Sequence, residues 1–83
     1  MSLRDRVVRV TSQVLNLPAE VITEESSPRT VEGWDSLGHM NLMLALEEEF
    51  GVQFSDERIM QLLSVGAIVQ ALHELTGAGT GDA

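Results

Sequence analysis

The sequence predicts a small all-α domain, a four-helix bundle with a long first loop and a short third helix, and three observations carry that reading. Apolar residues recur at helical spacing in separate stretches. No stretch alternates with the period of two that a half-buried strand requires. Capping residues, glycines and prolines fall at the joints between the stretches. The chain has 83 residues. A domain near this size removes only about 60% of its unfolded surface from water, so one modest core is expected and a deep enclosed active site is not.

The first helix follows from Leu3, Val7, Val10, Val14 and Leu17, spaced by four and three on one face. Ser2 is its N-cap, and Pro18 stops it or follows its last turn. A long connection then runs from Pro18 to Trp34, with Val21, Ile22 and Val31 expected to tuck into the core. Loops of this length inside a compact domain are uncommon and often functional. The second helix starts at Asp35-Ser36 and runs to Phe50, with Asp35 as N-cap and Gly51 as its left-handed terminator. Ser55 or Asp56 caps a short third helix around Glu57 to Leu62. Ser64 caps the fourth, with Val65, Ile68, Leu72 and Leu75 on one face. Residues 1–76 are read as the folded domain and 77–83 as a flexible C-terminal tail.

Composition removes several classes of function. There is no cysteine, which excludes disulfides, thiolate metal sites and cysteine nucleophiles. No segment is apolar for long enough to span a membrane, and Met1 to Arg6 does not read as a signal peptide, so a cytoplasmic protein is expected. The formal charge is −8, which repels nucleic-acid phosphates and suits basic partners. The acids are concentrated: between Glu20 and Glu57 there are ten, with one arginine, Arg29, among them.

The second helix carries two apolar stripes. At about 100° per residue, His39, Leu42, Met43, Leu46 and Phe50 face one way, towards the core. Leu37, Met40 and Leu44 face roughly the other way, with Glu47 and Glu48 beside them. Either this second stripe is an exposed partner site with a carboxylate rim, or the long loop folds over it; the helical wheel alone favours neither. Ser36 stands first after the cap, where free N–H groups and the helix dipole favour a phosphate. On the residues alone, a serine there is ordinarily a capping residue.

Other constellations are weak. Ser36 and His39 are spaced as a nucleophile and base would be, but no carboxylate is placed to orient the histidine and no oxyanion hole is evident. His39 is expected at the core edge or in solvent, and His73 on the surface. The two histidines give no metal-ligand spacing, and Glu47-Glu48-Glu49 point in three directions. No catalytic residue and no metal site are predicted, and an enzyme is the least favoured reading.

The sequence resembles the acyl carrier protein family. The resemblance rests on Asp35-Ser36-Leu37, on the following helix ending Leu44-Ala45-Leu46-Glu47-Glu48-Glu49-Phe50-Gly51, on Phe54, on Ile59 and Leu62 of the short helix, and on Ser64-Val65. It covers about residues 3 to 75. It implies that Ser36 accepts pantetheine 4′-phosphate covalently from coenzyme A through a magnesium-dependent phosphopantetheinyl transferase, aided by Asp35. It implies that Leu37, Met40, Leu44, Glu47 and Glu48 dock partner enzymes, namely acyl or aminoacyl ligases and synthases with basic surfaces. Leu42, Leu46 and Leu62 would line a shelter for the carried chain, and a monomer is expected. Carriers of fatty acid synthesis often have acids at the positions of Gly38 and Asn41. Their absence points to a specialised polyketide, peptide or related pathway. An aminoacyl or peptidyl carrier, and an unmodified interaction module of the same fold, are the rival readings.

Overall fold

The computed structural model describes residues 2–77 and contains four α-helices, with no strand among the described residues. They are α1 (Leu3–Leu15), α2 (Ser36–Phe50), α3 (Asp56–Gln61) and α4 (Val65–Thr76), with a single 3-10 turn (Ala19–Val21) in the long connection. All four starts are capped by the side chain that precedes them: Ser2, Asp35, Ser55 and Ser64 each accept a hydrogen bond from a backbone N–H in the first turn. At α1 the arrangement is reciprocal, since the Asp5 carboxylate also accepts from the Ser2 N–H.

Helix α1 ends at Leu15, and Pro18 follows its last turn. Asn16 takes the left-handed conformation, φ 58°, and its N–H donates to the Ser12 carbonyl. The exit turn is completed by the Leu17 N–H and the Ser12 hydroxyl, which donates to the Leu17 carbonyl. As a result Leu15 is buried, whereas Val14 and Leu17, expected on the core stripe, are only partly covered. At the other joints Gly51 and Gly77 hold the left-handed residue. Gly77 closes α4 directly after Thr76; the rest of the expected tail, 78–83, lies outside the described residues.

The core is built from one face of each long helix. Val7 and Val10 of α1, Leu42, Met43 and Leu46 of α2, and Val65, Ile68 and Leu72 of α4 meet there, closed by Leu62, Phe54 and Trp34. Helix α1 lies against both α2 and α4. Arg6 and Arg9 of α1 reach the Glu49 carboxylate, and the Arg6 guanidinium lies 4.4 Å from the centre of the Phe50 ring. Arg58 of α3 pairs with Glu74 of α4.

The connection from residue 16 to 35 is ordered by local turns. Ser26 and Ser27 hydroxyls accept from the N–H groups of Thr23 and Arg29, and Thr30 accepts from that of Ser27. Two backbone bonds then stitch it to the start of α4: Val65 N–H to Ser26 O at 3.0 Å and Gly66 N–H to Glu24 O at 2.9 Å. Ile22 is buried and Val31 partly buried, as expected. Val21 is not: it sits in the 3-10 turn and faces solvent. Leu75 is likewise exposed, because the α4 stripe runs past the end of the core.

Two substitutions separate core from overhang. Ile68→Val is expected to cost about 0.5–1.5 kcal/mol of unfolding free energy, and Leu75→Ala less than about 0.5 kcal/mol. Both are read as urea midpoints at unchanged slope.

Candidate functional site

The site is the junction where the long connection becomes α2. Asp35 is the N-cap, and its Oδ1 accepts the Gly38 N–H at 2.8 Å. Its carbonyl takes the His39 N–H. The N–H groups of Ser36 and Leu37 therefore keep no acceptor among the described residues. Ser36 is exposed beside them, and its hydroxyl has no hydrogen bond among the described residues. A phosphodiester on Ser36 Oγ would stand at the positive end of a fifteen-residue helix with unpaired donors at hand. The residues present thus fit a phosphate-linked group.

Two long-range features hold this junction in place. Trp34, buried, donates its indole N–H to His39 Nδ1 at 2.9 Å. His39 Nε2 lies 2.8 Å from the Ile59 carbonyl, which can only accept, so Nε2 carries the proton. The imidazole thus links the loop before Ser36, the first turn of α2 and α3. Gly33, at φ +94°, turns the chain so that its carbonyl presses against Gly38. A Cβ on Gly38 would come 2.4 Å from that oxygen. The glycine that weakens the helix on propensity is the one that lets the loop lie close.

Of the two places expected for His39, the core edge and solvent, it takes the first: it is buried, and both ring nitrogens are engaged away from Ser36. It is not placed as a base for that hydroxyl.

The second stripe of α2 is open. Leu37, Met40 and Leu44 are 71%, 47% and 57% exposed, so the long loop does not cover them. The three glutamates that follow have separate fates. Glu49 is drawn to Arg6 and Arg9 of α1. Glu47 is half-buried and accepts the Phe54 N–H at 2.8 Å, which closes the turn after α2. Glu48 is exposed. Leu42, Leu46 and Leu62 are packed in the core. A cavity of about 520 Å3 opens beside Ser36, but it is lined by other residues, among them Val31, Trp34, His39 and Leu63. Sequence reasoning missed Trp34 and Leu63; the Trp-Asp-Ser order was the available signal for the first, and nothing local marks the second. No group of three or more metal-ligating side chains occurs among the described residues, and no described helix is long and apolar enough to cross a membrane.

A family model described as "Phosphopantetheine attachment site" matches residues 5–72. The acyl carrier protein of Helicobacter pylori strain G27 is 34% identical over 74 residues, covering 89% of this chain and 95% of that protein. The acyl carrier protein of Saccharopolyspora erythraea is 34% identical over 71 residues, covering 86% of this chain and 75% of that protein. Among solved structures, the holo acyl carrier protein of Geobacter metallireducens superposes with a TM-score of 0.82 at 26% identity, covering 100% of this chain and 95% of that one.

Gly38→Ala tests the loop contact. On helix propensity alone it would stabilise by about 1 kcal/mol. With the methyl forced onto the Gly33 carbonyl it is expected to destabilise by about 1–3 kcal/mol instead. His39→Leu keeps the volume but strands the buried Trp34 N–H, at a cost of about 1–3 kcal/mol. Denaturant unfolding reads both, and a stabilised Gly38→Ala variant would contradict the contact.

Proposed function

This chain belongs to the acyl carrier protein family and carries a phosphopantetheine attachment domain, and on that premise we propose that Ser36 bears the prosthetic group. Members of the family are carriers rather than enzymes, and phosphopantetheine is held covalently. The observation that carries the assignment is the exposed Ser36 hydroxyl beside two unpaired N–H groups at the start of α2. In the transfer, Ser36 Oγ forms a bond to the phosphorus next to the pantetheine of coenzyme A. The pyrophosphate P–O bond breaks, the adenosine bisphosphate half departs, and the hydroxyl proton goes to the phosphopantetheinyl transferase. The arm supplies a thiol on which acyl groups ride as thioesters.

Asp35 serves this step in two ways: its carboxylate caps α2 through Gly38 and so fixes Ser36, and it presents a charge to the transferase. Enzymes that load and unload the arm are proposed to dock on Leu37, Met40, Leu44 and Glu48, an apolar strip with an acidic rim facing basic surfaces. Glu47 borders that strip, with one carboxylate oxygen committed to Phe54. The domain proper is taken as 1–76, acting as a monomer in the cytoplasm.

The pathway is proposed to be a specialised one, of polyketide, peptide or related type. The support is the loss of charge at Gly38 and Asn41 in the docking region. At Gly38 the loss has a structural reason, because any side chain there meets the Gly33 carbonyl. Loading by fatty-acid synthesis enzymes at rates normal for their own carrier would overturn this part.

The attachment itself is tested by intact mass after incubation with coenzyme A and a broad-specificity transferase. The native protein is expected to gain one phosphopantetheine, and Ser36→Ala none. A native protein that gains nothing with several transferases would favour an unmodified interaction module.

A further inference from the structure

The cavity beside Ser36 has a use that attachment alone does not assign. At about 520 Å3 it lies within the size of ligand pockets, roughly 300–1,000 Å3. Ser36 is at its edge; Val31 and Leu63 line it from opposite sides of the sequence, one in the long connection and one between α3 and α4. Leu63 is 48% exposed, so it has apolar surface free for a ligand. The walls are braced without any ligand. The connection is tied to α4 through Ser26 O and Glu24 O, and a Cβ on Gly66 would already lie 3.2 Å from Glu24 O. The back is the Trp34–His39–Ile59 chain of hydrogen bonds. A ligand entering this groove has little backbone left to order, which lowers the cost of binding.

We propose that the phosphopantetheine arm on Ser36 lies in this groove, with its geminal-dimethyl segment packed between Val31 and Leu63. The proposal rests on attachment at Ser36. The tether keeps the arm at the edge of the groove, so docking is intramolecular and a weak contact suffices. The charges sort the arm's parts. Its phosphate meets the free N–H groups of Ser36 and Leu37 outside, while the carboxylates of Glu32 and Asp35 at the lining keep a second anion out of the groove. What enters is the uncharged part that follows: the branched apolar carbon, then amides. The consequence is that the resting arm lies along the long connection and not over the Leu37–Met40–Leu44 strip, which stays clear for enzymes.

The test uses the full-length holo protein, its single arm confirmed by mass, with labelled protein methyls and an unlabelled arm. Cross-relaxation is expected between the arm's dimethyl protons and the methyls of both Val31 and Leu63. Leu63→Ser, at a half-exposed position, is expected to keep the α4 amide spectrum, lose its own contact and weaken the one to Val31 several-fold. An arm present by mass that contacts neither methyl, or that contacts Met40 and Leu44 instead, overturns the groove while leaving attachment standing. A protein that takes up no arm overturns both.

Discussion

The imidazole of His39 is the interaction on which the functional end of the molecule depends. A buried polar ring is costly unless its nitrogens are paired, and here each is: one accepts the Trp34 indole N–H, and the other donates to the Ile59 carbonyl. Because Trp34 directly precedes the cap of α2, pinning it pins Asp35 and Ser36. Because Ile59 belongs to α3, the same ring fastens a six-residue helix too short to hold itself. The Gly33 carbonyl against Gly38 adds a second point of contact, at the residues that directly precede Trp34 and His39. This arrangement leaves the Ser36 hydroxyl exposed while Trp34 and His39, on either side of it in the chain, are buried.

The charges follow the same division. The basic end of α1 neutralises Glu49 through Arg6 and Arg9 and meets Glu24 through Arg4. Glu47 is spent on the turn at Phe54. Exposed pairs of this kind contribute little to stability, but they determine where negative charge remains uncommitted. It remains at Glu48 beside the apolar strip of α2, along the long connection, and at Asp56 and Glu57 of α3. The uncommitted negative charge therefore lies in the middle of the chain, between Glu20 and Glu57.

Much of this was legible in the sequence because it is local. Four capping side chains mark four helix starts, Gly51 marks the end of α2, and spacing on the wheel separates Leu42 and Leu46 from Leu37, Met40 and Leu44. The errors arise where a residue's partner is far away in the chain or where an element stops early. Leu15 takes the buried place expected of Leu17 because the left-handed Asn16 ends α1 before Leu17. Val21 and Leu75 have apolar side chains and the right spacing, but no neighbouring element reaches them. His39 is on the core-facing stripe in the sequence, but what it bonds is legible only when Trp34 and Ile59 are seen on either side of it. Gly38 reads as a weak point until Gly33 is seen against it. Helical periodicity reports which face a residue is on, and not what will be found there.

The most direct test of the account is the protonation pattern of the His39 ring, read from long-range proton–nitrogen spectra of the labelled protein. A proton on Nε2, a bare Nδ1 with the shift of a hydrogen-bonded acceptor, and slow exchange of the Trp34 indole N–H are expected. A proton on Nδ1, or an indole N–H that exchanges as fast as an exposed one, would mean that the ring does not hold the junction, and the explanation of how Ser36 is positioned would fail.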